Sequence, residues 1–271
     1  MGLGISMSES DWKSRYQSWI YDSSIWTLIN STRGLCRYLD LMEKSLLSIK
    51  EYNIEPLSDD EARGISDYHR KVIDSTYSDN MFDKHDFPKD FYKSFVMALF
   101  SRVENELLEL CGGFYLDLKL TISPDDRESI GTGIFRSYKF LAQGAGYLLN
   151  DPLWRELQVI GKVRNRLVHN DWPYVAPALR PKNISAIKIH VEVRDHIQDY
   201  YVPMDPELYK HVSKHNILEL TGGMVTSLPL DEQISGFEIR PDYEYCDYLI
   251  DFRKRFFLRI YNDLLEIASK P

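Results

Sequence analysis

The segment Val163-Arg164-Asn165-Arg166-Leu167-Val168-His169-Asn170 sets an arginine and a histidine close together at the end of a stretch with helically spaced apolar residues. These residue types suit phosphodiester chemistry. Near neutral pH an imidazole can take a proton from a ribose 2′-OH or give one to a departing 5′ oxygen. A guanidinium can hold the phosphate while negative charge grows on it. The amide of Asn165 can orient either partner. A helix C-terminus favours an imidazolium at His169 whereas Arg164 and Arg166 disfavour it, so position is more informative than pKa. Spacing alone is weak support, because an Arg followed four to six residues later by His arises about once by chance in such a chain. Arg63 to His69 is a second instance, in a polar stretch without the flanking apolar positions.

Other chemistry lacks its usual motifs. The chain has no GxxxxGK[ST], GxGxxG after a strand, GxSxG, HExxH, or H-x-E with PCxxC. Triphosphate hydrolysis, dinucleotide binding, serine hydrolysis and zinc hydrolysis or deamination therefore lose support. His211 and His215 have the i, i+4 spacing of two metal ligands, but no third ligand is evident, and the expectation is a solvent-exposed or loop pair. Gly131/Gly133 and Gly144/Gly146 read as turn and packing glycines rather than a phosphate cradle.

An apolar residue, Arg-Asn, apolar residues and His at the end of an amphipathic helix resembles the RNxxxH form of the HEPN superfamily (higher eukaryotes and prokaryotes nucleotide-binding). The matching residues are Arg164, Asn165 and His169. SFVMALFSRVENELLELCG at 94–112 and EYCDYLIDFRKRFFLRIYNDLLEI at 244–267 look like the helices that pack around the motif in that family. The resemblance covers about 88–172 and 243–269. It implies an HEPN-like helical bundle that dimerises so that two motifs face each other. In active members it implies a metal-independent RNA endonuclease, commonly a toxin or antiviral effector.

On that resemblance Arg164 and His169 carry the reaction and Asn165 supports it. Glu104, at the edge of an apolar stripe, resembles a polar residue that some members set opposite the motif; an exposed glutamate is the other reading. Arg155, Lys162, Arg164 and Arg166 with only Glu156 opposing reverse the chain's charge locally, making Arg155, Lys162 and Arg166 candidate RNA contacts. Arg253, Lys254, Arg255 and Arg259 either extend that patch or form a solvated face. The implied partners are RNA, a second copy of the chain, and a cognate antitoxin or regulatory protein, with no membrane, cofactor or metal. Members modified by a nucleotidyltransferase often carry a tyrosine two residues after the histidine. Here that residue is Asp171, with Tyr174 further on. The alternative is a catalytically silent HEPN-like module that binds a partner protein or a nucleotide; a further alternative is that Arg164 ties helices together through carboxylates and His169 caps its helix.

The elements that must position these residues follow from periodicity. Apolar spacing over 9–50 predicts one helix, or two split near Gly34. Ser58 with Glu61 has capping-box form and opens a polar helix to about residue 77. A helix from Pro88 carries Phe91, Phe95, Leu99, Val103, Leu107 and Leu110 on one stripe, with Gly112-Gly113 as its stop. Another spans about 135–148. Asp151-Pro152 is an N-cap followed by proline at the first helical position, opening a helix to His169. Beyond Pro181 the period falls to two: Ile187, Ile189, Val191 and Val193 alternate with polar residues. Runs at 222–230 and 234–239 complete a small antiparallel β insertion. Tyr245, Leu249, Phe252, Phe256, Ile260 and Leu264 mark a closing helix over 243–269. One mainly α domain with that insertion is expected.

With 271 residues and 44% hydrophobic side chains, the chain has ample material for a core, which excludes a mainly disordered state. Thirty-three Lys and Arg against 41 Asp and Glu leave a net charge of −8, which excludes indiscriminate coating of nucleic acid and requires any RNA contact to be local. Three cysteines without a CxxC favour buried thiols in a reducing compartment over disulfides or zinc. The longest apolar run, Phe95–Phe100, is far below the roughly 20 residues a spanning helix needs. A cytoplasmic location is the expectation.

Overall fold

A computed structural model describes residues 24–50, 87–118, 123–126, 133–144, 147, 151–169, 187–193, 196–202, 205–221 and 236–269. Their order is α1 (Trp26–Lys50), α2 (Phe87–Leu118), α3 (Gly133–Gly144), α4 (Pro152–His169), β1 (Ile187–Val193), β2 (His196–Val202), α5 (Pro206–Lys214), β3 (Leu218–Thr221), β4 (Gly236–Ile239) and α6 (Tyr243–Ser269). The protein is mainly helical, and among the described residues antiparallel pairing is confined to the segment before the last helix. β1 pairs with β2 from Ile187 opposite Val202 to Val193 opposite His196, and β3 pairs with β4 from Leu218 opposite Ile239 to Thr221 opposite Gly236. Among the described residues no helix is long and apolar enough to cross a membrane.

The core follows the stripes. All six expected positions of α6, from Tyr245 to Leu264, are buried, and so are Phe95, Leu99, Val103, Leu107 and Leu110 of α2. α6 packs on α1 and α2, while α2 also carries α3 and α4. Trp154 of α4 meets Phe256 of α6 edge-on at 4.9 Å, and Phe252 stacks on Phe256 at 5.8 Å. Each such side chain contributes about 1.5–3 kcal/mol by leaving water. Tyrosines lock the helices at their polar edges: the Tyr147 hydroxyl donates to Asp263 Oδ2 at 2.6 Å and that of Tyr243 to Asp40 Oδ1 at 2.7 Å.

Helix α4 begins as its sequence requires. Asp151 Oδ1 accepts from the Leu153 amide at 2.8 Å, satisfying a free N-terminal donor, and Pro152 supplies a preset φ where no N–H is needed. Leu157, Ile160, Val163 and Leu167 are all buried.

Of the two readings of the first helix, the unbroken one holds: α1 runs through Gly34, with Leu28, Leu39 and Leu46 buried along it. Other expectations need correction. Gly112-Gly113 does not stop α2, which continues to Leu118. Glycine ends a helix when it turns left-handed, and a residue that keeps helical φ costs only about 1 kcal/mol relative to alanine. α3 spans Gly133–Gly144, ending short of 148. The insertion also contains α5, which periodicity did not predict, and strand β2. The expected helix over 58–77, the strand over 222–230, and the start of the first helix lie outside the described residues. Cys111 and Cys246 are buried thiols, Cys36 is half-buried, and all three are free.

Candidate functional site

Three helices converge on Arg164. Where α2 meets α4, Gly161 stands so close to Phe100 that a Cβ there would lie 3.1 Å from the ring, with Ile134 of α3 at 3.9 Å. One turn further along α4 comes Arg164, and one turn along α2 comes Glu104. The Arg164 guanidinium carbon lies 6.0 Å from the centre of the Phe100 ring, and its Nη1 donates to Asn165 Oδ1 at 3.0 Å. Its Nε is buried without a hydrogen-bond partner among the described residues. Asn165 is exposed beside it.

Glu104 faces the start of α3. Gly133 has φ +59°, and a Cβ on it would come within 3.2 Å of Glu104 Oε1. Burial pushes the Glu104 carboxyl above the ordinary carboxylate range, against the opposing pull of Arg164 and then Arg136. Neither arginine makes a direct ion pair with it. Glu104 is therefore half-buried beside the motif arginine, not fully exposed.

Arg253 shows what a structural arginine looks like in this molecule. It is 1% exposed, and its Nε and Nη2 grip Glu106 of α2 at 2.9 and 2.5 Å. Its remaining donors reach Thr32 and Ser31 of α1 at 3.3 and 2.9 Å. Arg255 pairs with Asp251, and Arg259 with Asp151 and Asp263. Arg253 thus belongs neither to a basic patch nor to a solvated face; it bolts three helices together.

The other basic residues of α4 lie on a different side. At about 100° per residue, Arg155, Lys162 and Arg166 share one face of the helix, whereas Arg164 is about 180° from Arg155. Lys162 pairs with Asp205 at 2.8 Å and Glu207 at 3.7 Å, at the start of α5. Arg155 lines a cleft of about 340 Å³ with Glu156, Lys210, His211 and Lys214. His169 is the last residue of α4; its side chain, Asp171 and Tyr174 lie outside the described residues, as do Arg63 and His69. The structure thus brings together Arg164, Asn165 and Glu104 and sets Arg155 and Lys162 apart from them.

Sequence reading missed two groups. Arg136 of α3 acts electrostatically on Glu104, as Arg164 does; its signal was a cation sharing the face of Gly133 and Phe140, at i+3 and i+7. The second group is the packed ring set beneath the cleft. His211 is buried, with Nε2 3.2 Å from the Tyr245 hydroxyl, and His215 lies 4.0 Å from the Tyr248 ring. Tyr248 donates to Glu156 at 2.5 Å. This corrects the expectation of an exposed or loop pair. α5 places the rings: Asp205 caps it, and Asn216 at φ 54° ends it, with Ile217 N bonded to Val212 O and Asn216 N to Ser213 O. Burial, then His215 and Lys214, depress His211 to a pKa of about 4, so it is neutral at pH 7. No group of three or more His, Cys, Asp or Glu that could hold a metal occurs among the described residues.

Neither the family models, the curated proteins nor the solved structures compared with this chain match it.

Proposed function

We propose that this chain is a metal-independent RNA endonuclease of the HEPN type, acting as a toxin or antiviral effector at a composite site built from two copies. The observation that carries the reading is the contrast between two arginines. Arg253 has every nitrogen matched by acceptors from other helices, whereas among the described residues Arg164 bonds only to its neighbour Asn165 and keeps a buried donor unfilled. A buried unfilled donor costs about 1–3 kcal/mol; Arg240 also bears one at its Nε, but its outer nitrogens are held by Glu219 and Glu238, whereas no carboxylate among the described residues pairs with Arg164. In the reaction Arg164 holds the phosphate, Asn165 orients it and Glu104 organises the arginine.

One His169 accepts the 2′-OH proton as that oxygen attacks phosphorus. His169 of the partner subunit, protonated, donates to the departing 5′ oxygen. The products are a 2′,3′-cyclic phosphate and a 5′-hydroxyl, with no metal required. Arg155 and Arg166 contact RNA further along its path. Lys162 is already matched by Asp205 and Glu207 and adds little. The test is incubation with total RNA in EDTA beside Arg164→Ala and His169→Ala. Wild-type cleavage lost in both variants is expected; no cleavage, or equal cleavage by all three, defeats the reading.

The second reading, a silent interaction module, is favoured by the exposure of Trp26 (67%) and Leu41 (63%) on α1. Large apolar side chains in water suit a partner surface. That reading expects the motif variants to retain partner binding.

A further inference from the structure

A second arginine stands at the same site. α3 starts against Glu104, where a side chain at position 133 would be strained by the φ of +59° and would crowd Oε1 at 3.2 Å. One turn on, Arg136 is 9% exposed and its Nε has no hydrogen-bond partner among the described residues. Arg164 brings another unfilled Nε from α4. Two guanidinium groups on different helices thus act on one carboxylate without a direct ion pair, leaving among the described residues one positive charge in excess and two unfilled donors. An anion offering several acceptor oxygens would complete the set, since each guanidinium presents five N–H donors in a planar fork. Exposed Asn165 marks the open side.

We propose that Arg136 and Arg164 together hold one backbone phosphate of the RNA, and that this phosphate replaces Glu104 as their counter-charge. The inference rests on the endonuclease reading and adds to it a residue from α3. Glu104 keeps the two cations compatible in the free protein, and entry of the phosphate displaces it. Its burial already weakens its hold as a charged group.

The test is binding of a single-stranded RNA made uncleavable by 2′-deoxy substitution, titrated across salt concentrations, with thermal melting run in parallel. Arg136→Gln is expected to weaken binding about 10-fold and to flatten the log K against log[salt] slope by about 0.7, the value for one lost single-strand phosphate contact. Arg136→Lys should keep the slope. Glu104→Gln should tighten binding several-fold while lowering the cleavage rate on unmodified RNA. A folded Arg136→Gln protein with wild-type affinity and slope overturns the proposal while leaving the endonuclease reading intact. Should that variant not fold, unchanged or weaker binding by Glu104→Gln overturns it instead. Wild-type protein that binds no RNA defeats both readings. Inorganic phosphate separates the sources: competition with RNA on wild type, reduced in Arg136→Gln, is expected, whereas stabilisation by phosphate without any competition assigns the subsite to free phosphate and overturns the RNA assignment.

Discussion

Arg164 and Arg253 are the same residue type under opposite constraints, and replacing them should separate stability from activity. Arg253→Ala removes the buried tie among α1, α2 and α6 and leaves Glu106 with Arg102, a loss of about 3 kcal/mol in unfolding free energy, the low end for a broken buried pair. Arg164→Ala removes no ion pair, so denaturant titration should find it within about 1 kcal/mol of wild type. Its cleavage rate should nevertheless fall by about 100-fold or more, the scale of a lost charge stabiliser. Equal destabilisation by both would show that Arg164 is a second structural bolt. At this scale Arg164, Asn165 and Glu104 were singled out by their resemblance to the RNxxxH motif and the polar residue set opposite it, and helical spacing on α2 and α4 accounts for their lying side by side. Arg136 was not, because its role depends on how closely α3 enters beside Glu104, and nothing local to residues 133–140 records that contact.

The joint between α5 and α6 carries a pH dependence of its own. Folded His211 binds its proton less readily than the unfolded chain, with a pKa near 4 against 6.5. Its contribution is therefore complete above pH 6.5 and is lost as pH falls from there towards 4, by about 3 kcal/mol at most. His215 shifts in the same direction, also chiefly through burial. Urea unfolding at pH 7.0, 5.5 and 4.5 should show this decline, and His211→Gln should flatten it; an unchanged slope in that variant would place the dependence elsewhere. Element reading succeeded where periodicity was long: α6 has the expected bounds, and α4 starts at its Asp-Pro cap. α5 was missed although Asp205-Pro206 repeats the Asp151-Pro152 signature, because nine residues give too little periodicity to stand out. Gly112-Gly113 misled because a stop depends on glycine's φ and not on its presence. As a check on the α4 cap, Asp151→Ala should cost about 1 kcal/mol in the same titration, and no loss would mean the cap is dispensable.

For the whole molecule, the net charge of −8 is compatible with RNA binding only if contact is confined to a few cations. The cations of α4 and α3 fit that requirement, while Arg102, Arg240, Arg253, Arg255 and Arg259 are each matched by an acidic side chain. A composite site further requires two copies, so specific activity should fall on dilution and track the dimer fraction seen by sedimentation; constant specific activity across a monomerising range would contradict it. The exposed side chains of α1 leave room for a regulator without touching the motif. The central claim is metal-independent cleavage through the 2′-OH, and single-turnover cleavage of a defined RNA in EDTA tests it most directly, using the same RNA with one 2′-deoxy residue at the cut position as the control. The account predicts a 2′,3′-cyclic phosphate end from the wild type, no cut at the deoxy position, and no product from His169→Ala. Cleavage that needs added divalent metal, or that proceeds at the deoxy position, would contradict it.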